Sequence, residues 1–398
     1  DRSRGAARSC FLDGGQILFC IQGKMGRFLK FVLHALFLLS LSSPIASFSI
    51  PNLVPCTRHA QTRLSLLPSS KQCSRHLALP ALPSRSMSVS QRQIIRLVAS
   101  ASLEMSVKGG GQQTGTEPES FDVKADDGHS LKVWAKGPKD GTPVVLLHGR
   151  TWSARPVWDL QVEDRDGASD LGASTMDLMA SHNIRTYAPD MRGLGGTERD
   201  EPGWTTPTRC VKDVQCVMEW LEKEHGVRKP LMVGWSQGGV VAHLYGQSHG
   251  SKLSGLVLYA SIYDPAPSEV VEHPDEPPVV ENTWEGAMED WTIPGIIDDA
   301  AAEAYGHEAL KWDPRKVSWK DVHEFDACDP AKLTLPTLVI HGEKDAYTDM
   351  EKQRSLFMGV ACGDKCWRVV DNADHPVHLY PKQRKVWMSA ILSFMEGL

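Results

Sequence analysis

Between Asp13 and Glu104 the chain has no acidic residue, although Lys24, Arg27, Lys30, Arg58, Arg63, Lys71, Arg75, Arg85, Arg92 and Arg96 all fall in that stretch. Cations without anions over such a length exclude an ordinary globular surface and read as a targeting segment, not a nucleic-acid patch. From Glu104 onward the balance reverses to 47 acidic against 30 basic residues, so the formal net charge of −6 averages two unlike pieces. Paired cysteines are also missing. Nine cysteines are scattered, five of them in the acidic body, and none shows C-x-x-C spacing; this excludes a disulfide framework and a zinc site. Cys362 and Cys366 read as two packed thiols. No run after residue 48 is long and apolar enough to span a bilayer, and no internal repeat points to a solenoid. What remains, with 41% hydrophobic and 23% charged residues, is ordinary globular composition. No metal and no cofactor is expected.

Residues 1–24 precede the first methionine and are not expected in the mature protein. Met25 opens "MGRFLKFVLHALFLLSLSSPIASFSIP", with a basic start at Arg27 and Lys30, an apolar stretch of about eleven residues from Phe31, and small residues from Ser42 to Ser47. That pattern predicts a signal peptide over 25–47. Residues 48–103, rich in Ser, Leu, Pro and Arg, have the composition of a transit peptide. The "IASFSIP" junction resembles the Ala-Phe type cleavage junction of bipartite leaders in algae with secondary plastids. It implies plastid localisation, with secretion or an endomembrane location as the alternative. "EMSVKGGGQQTGTEPES" (104–120) reads as a flexible linker.

The body then alternates strand and helix signals. "FDVKADD" and "HSLKVWAKG" predict a hairpin across Asp127-Gly128. Short buried runs follow in "TPVVLLHG", "IRTYAPD", "KPLMVGWS", "LSGLVLYAS", "LPTLVIHG" and "CWRVVD". A helix-spaced row at Val211, Val214, Val217, Met218 and Leu221 precedes the third of these. Such alternation predicts an α/β fold, a mainly parallel twisted sheet with helices on both faces. Its core is expected over 121–263 and 331–398. Between them, 264–330 carries no buried-strand run. It has prolines at 265, 267, 274, 277 and 278, a helix-spaced row of Trp284, Met288 and Trp291, an alanine-rich helix around 298–311, and 18 acidic against 4 basic residues. This predicts a helical cap inserted over one end of the sheet.

In open parallel sheets the working residues gather at the carboxyl ends of the strands. "VGWSQGG" sets Ser236 between a strand and a helix, hemmed by Gly234, Gly238 and Gly239. A turn that sharp tolerates only small neighbours and pushes the serine clear of the sheet. A serine there also suits a plain helix N-cap, the bland alternative. "LLHGRT" ends a second strand, where Gly149 lets the Arg150 N–H face the serine. "HGEKDAYTD" offers Asp345, and "VVDNADHP" offers His375. Glu343, Asp349, Asp371 and Asp264 are competing acids. The order Ser, Asp, His, each on its own strand-end loop, fits a nucleophile, an orienting acid and a base. His148, Asp190 and Arg192 are expected to tie loops together.

The stretch from about residue 121 to the end resembles an α/β-hydrolase with a cap, on "LLHG" (146–149), "PDMRGLGGT" (189–197), "GWSQGG" (234–239), "HGEKD" (341–345) and "NADH" (372–375). The resemblance implies Ser236 as nucleophile, His375 as base and Asp345 as its orienting acid, with Gln237 and Arg150 N–H groups forming the oxyanion hole. Arg150 and Asp374 depart from the pattern, which more often has an apolar residue after "HG" and glycine before the histidine. A substrate pocket is expected among Trp152, Trp235, Trp284, Met288 and Trp291. The expected activity is cleavage of an uncharged, fairly apolar carboxylic ester. C–C hydrolysis, thioester cleavage or acyl transfer on the same triad, or a hydrolase-derived ligand receptor, are the alternatives, and phytol or galactolipid esters are a narrower form. A nucleophilic aspartate is excluded because position 236 is serine. The partner is a small-molecule ester, with no nucleic acid and no stable membrane span; nothing in the sequence sets the oligomeric state.

Overall fold

The computed structural model describes residues 117–162, 174–289, 291–295, 297 and 299–398. The expected leader, and the linker apart from its last residues, lie outside them. Strands β1 (Glu119–Lys124) and β2 (Ser130–Lys136) pair antiparallel with Phe121 opposite Val133. They turn where the sequence predicts, with Gly128 at φ 87° and the Asp127 carboxylate accepting the His129 N–H at 3.0 Å. There follow β3 (Thr142–Leu147), β4 (Ile184–Pro189), the two-residue β5 (Trp204–Thr205), β6 (Leu231–Trp235), β7 (Gly255–Tyr259), the two-residue β8 (Ser318–Trp319), β9 (Thr337–Gly342) and β10 (Lys365–Val370). Eight of them form one sheet in the order β1-β2-β4-β3-β6-β7-β9-β10, parallel from β4 to β10; β5 and β8 pair separately.

Strands β4, β6, β7 and β9 are buried at every position because both faces of the sheet are covered. Alternation still decides which side chain goes where. Val144, Leu146, Val233, Val257 and Ile340 enter one core, and Val145, Leu147, Met232, Leu256, Leu258 and Val339 enter the other. The first core is closed by α1 (Ala154–Trp158), α2 (Thr175–Ser181) and the last helix of the chain, α8 (Pro381–Glu396). The second is closed by α3 (Pro207–His225), α4 (Gln237–His249) and α7 (Met350–Gly359). Helix α3 has the signals its sequence promises. Thr206 caps it by accepting the Arg209 N–H, proline starts it, and Gly226 ends it at φ 68°. Its predicted apolar row is buried except at Val211, which is half-buried.

Residues 264–283 run without helix and mostly exposed, as their prolines dictate. Helices α5 (Trp284–Met288) and α6 (Asp299–Trp312) follow, then β8 and a 3-10 turn at Val322–Ala327. The last two helices of the chain are α7 (Met350–Gly359) and α8 (Pro381–Glu396). No helix among the described residues is long and apolar enough to cross a membrane.

Candidate active site

Ser236 joins β6 to α4 with φ 56° and ψ −121°, a conformation that costs a non-glycine residue about 1–3 kcal/mol. Backbone bonds hold it there, among them one from the Ile262 N–H to the Ser236 carbonyl at 3.4 Å. Its N–H donates to the Tyr259 carbonyl at 3.0 Å, and its own carbonyl accepts the Gly239 N–H at 3.0 Å. The hydroxyl makes no capping bond, which removes the helix-cap reading. The neighbouring glycines are required by close backbone approach: a Cβ on Gly238 would stand 2.3 Å from the His148 carbonyl oxygen, and one on Gly234 2.3 Å from that of Gly238. Across the turn, a Cβ on Gly149 would lie 3.2 Å from the Ser236 Cβ, so the loop after β3 passes directly beside the serine. The Arg150 N–H has no hydrogen-bond partner among the described residues, and Gln237 is the first residue of α4, where N–H groups lie outside the helical ladder.

His375 and Asp345 arrive on the loops after β10 and β9. His375 Nδ1 is 2.9 Å from Asp345 Oδ2, with both side chains almost fully buried. The other Asp345 oxygen accepts the Tyr347 and Thr348 N–H groups at 2.9 and 3.1 Å. Burial alone would raise this carboxyl. The adjacent His375 and the donated N–H groups outweigh it and hold the pKa below its ordinary value. Three of the four competing acids are otherwise engaged. Asp264 pairs with Lys352, Asp349 caps α7, and Glu343 accepts the Asn372 N–H. The Trp235 indole N–H donates to the His375 carbonyl at 3.2 Å, and the Trp235 and Tyr347 rings lie 5.1 and 4.9 Å from its imidazole.

Ser236 and His375 line one cavity of about 520 Å³, the size of a small-molecule site. Trp152 and Trp235 line it too. Trp284, Met288 and Trp291 do not: the Trp284 ring and Met288 pack over Gly306 of α6, and Trp291 lies against Tyr305 and Tyr380. Helical spacing marks a buried face but not what covers it. The segment 264–330 instead supplies Asn282, Glu289, Lys316 and Val317 to the lining, and Arg150, Thr151 and Tyr347 come from the core. The wall is mixed in character and carries three charged residues.

Behind the Arg150 loop sit two buried carboxylates that sequence reasoning cast as loop ties or overlooked. Asp190 accepts the Ala154 N–H at 2.8 Å, the Trp134 indole N–H at 2.7 Å and the Gly196 N–H at 2.9 Å. Asp313, at the end of α6, accepts the Ser153 N–H at 2.8 Å and the Gly195 N–H at 2.7 Å. Desolvation pushes Asp190 up to about 6 and Asp313 up to about 7, against the pull of the donated N–H groups. The pair fastens the segment following Arg150 both to the glycine loop after β4 and to α6. Arg192 does the rest of the tying through Asp127, Asp200 and Asp213. His148 is structural as expected. Its Nε2 accepts the Met191 N–H at 3.0 Å, and desolvation lowers its pKa to about 4, so it is neutral. His378, which the sequence did not single out, bonds the Tyr259 hydroxyl and the Val157 carbonyl beneath the His375 loop. Asp374 is fully buried. It accepts the Thr292 N–H and hydroxyl, both at 2.9 Å, and the Tyr380 hydroxyl, so the residue before His375 is fastened to the segment 264–330.

Residues 144–384, more than half of the chain, match the model of the alpha/beta hydrolase family. A non-heme chloroperoxidase of Streptomyces lividans is 28% identical over 141 residues, 35% of this chain and 44% of that protein. A haloalkane dehalogenase of Mycobacterium marinum is 29% identical over 140 residues, 34% and 41% of the two chains. The matches therefore span less than half the length of these curated relatives. Among solved structures, a hydrolase from Pseudomonas aeruginosa superposes with a TM-score of 0.51 at 19% identity, over 70% of this chain and 98% of that one. A serine hydrolase involved in carbazole degradation does so at 0.50 and 19%, over 71% and 100%. At these identities the likeness is one of fold.

Proposed function

Because the chain belongs to the alpha/beta hydrolase family, we propose that it is a serine hydrolase that cleaves a carboxylic ester through Ser236, His375 and Asp345. The observation that carries this is the 2.9 Å His375–Asp345 bond at the wall of the cavity that Ser236 also lines. Asp345 accepts a hydrogen bond from the His375 Nδ1–H and so leaves Nε2 as the basic nitrogen. His375 takes the Ser236 proton as the hydroxyl attacks the ester carbonyl. Charge develops on the carbonyl oxygen, where the Arg150 and Gln237 N–H groups receive it; one such donor is typically worth about 2.7–4 kcal/mol. His375 then protonates the leaving alcohol. Water, activated by the same imidazole, releases the acid from Ser236 and restores the hydroxyl.

Labelling with a fluorophosphonate probe tests the reading directly. Wild-type protein takes one label at Ser236, and Ser236→Ala takes none. An unlabelled wild type that is otherwise folded refutes it.

A further inference from the structure

We infer that the cavity beside Ser236 takes an ester whose acyl part ends in a carboxylate, held between Arg150 and Lys316. The inference rests on the serine-hydrolase reading for the reaction and adds the substrate class. It replaces the uncharged, apolar ester expected from sequence.

The two cations come from different parts of the chain and line the same cavity. Arg150 follows Gly149, whose backbone passes beside Ser236, so its side chain is rooted one residue from the reacting carbonyl. Lys316 belongs to the segment 264–330. Its backbone is fixed on both sides: the N–H donates to the Val280 carbonyl at 2.8 Å, and the carbonyl accepts from Arg199 at 2.7 Å. Neither side chain makes an ion pair among the described residues. Lys311 and Arg315 of the same segment pair with Glu308 and Glu281, as a stretch so rich in acid would lead one to expect. Lys316 and Lys320 make no ion pair among the described residues, and of the two it is Lys316 that lines the cavity holding Ser236.

Arg150 carries the stronger signal. Desolvation by the surrounding protein lowers its pKa, and no carboxylate acts on it in return. Arg150 is an exposed residue on the cavity wall, without an ion-pair partner among the described residues, and it offers paired N–H donors matched to the two oxygens of a ligand carboxylate. Glu289 is the one acidic residue of the lining, which leaves a net charge of about one positive across Arg150, Lys316 and Glu289. That balance favours a single negative charge over a dianion. The acidity of the segment as a whole acts at longer range, where salt screens it within about 8 Å.

The test compares the phenyl half-esters of glutaric and adipic acid with their uncharged primary-amide isosteres, followed by phenol release. In the wild type, kcat/KM is expected to favour the charged ester by about tenfold to a hundredfold, the range of one or two charge-assisted bonds. Arg150→Met keeps the main-chain N–H and brings that ratio to one or below, and Lys316→Met lowers it. A wild-type ratio at or below one at both chain lengths, or a ratio that survives in both variants, overturns the assignment. Calorimetry on Ser236→Ala gives a readout without turnover. Adipic monoamide binds and adipamide does not, and the added Arg150→Met abolishes binding. Absence of fluorophosphonate labelling defeats the nucleophile reading while calorimetry still reports on the anion site. Normal labelling with no charge preference and no binding defeats the anion site alone.

Discussion

Replacing Asp313 with asparagine separates the two things this carboxylate does, accepting two backbone N–H groups and carrying a buried charge. Its oxygens bond Ser153 and Gly195, and its pKa stands near 7 against an ordinary 3.8. A raised folded-state value means that the native protein holds the proton more tightly than the unfolded chain. Stability therefore falls as pH rises from the unfolded value to the folded one, at about 1.4 kcal/mol per pH unit, and is flat above it. Summed over that window, the charge costs the fold about 4 kcal/mol. Asparagine has no such proton, but its amide nitrogen must face one of the two N–H donors, which leaves a buried donor unpaired at a cost of about 1–3 kcal/mol. The two effects oppose each other, and pH decides the winner. At about pH 4.5 the variant is expected to equal the wild type or fall below it. At about pH 7.5 it is expected to be the more stable, the gap having moved by about 3 kcal/mol in its favour. Asp190 repels Asp313 and binds its own proton less tightly once that charge is gone, which adds in the same direction. Urea unfolding followed by tryptophan fluorescence at several pH values measures the gap, and subtraction cancels the titrating groups that Asp313 does not influence. A gap independent of pH, or one that moves toward the wild type as pH rises, refutes the reasoning.

Asp345→Asn should reduce kcat by about four orders of magnitude, because the amide stabilises the wrong imidazole tautomer. The lowered Asp345 pKa also means that its stabilising contribution is present above the ordinary carboxylate value and lost as pH falls through the folded one. The variant's stability deficit in thermal melts should therefore shrink in acid. Gly238→Ala drives a methyl group to 2.3 Å from the His148 carbonyl oxygen, a backbone atom that cannot step aside. A loss of at least about 1–3 kcal/mol in chemical unfolding, with reduced fluorophosphonate labelling, is the expected outcome; unchanged stability would contradict the close approach. Residues 1–103 fused to a fluorescent protein should carry it to the plastid, and cytosolic fluorescence would overturn the bipartite-leader reading.

The strands were legible because each is a short apolar run bounded by turn residues, and "VGWSQGG" was legible because its glycines answer a local steric demand. The serine, aspartate and histidine could be ordered along the chain since each follows its own strand. Asp313 carried no such mark. It sits in "KWDPRK", and its two bonds reach residues 118 and 160 positions away. Only the folded chain brings those donors together. Trp284, Met288 and Trp291 failed for a related reason: periodicity predicted that they would be buried, and they are packed, but α6 and Tyr380 cover them rather than substrate. Lys316 was counted among four bases in an acidic segment, where composition gives no reason to single it out from Lys311 or Arg315.

The bond from Asp374 to Thr292 bears on how freely this enzyme could be remodelled. A chimera that exchanged residues 264–330 for the corresponding stretch of another hydrolase would lose the Thr292 hydroxyl and the placement of its N–H, and leave a carboxyl group sealed from water with the Tyr380 hydroxyl. Such a graft would fail at the base even if the new pocket fitted its substrate well, and would recover only when position 374 was changed along with it.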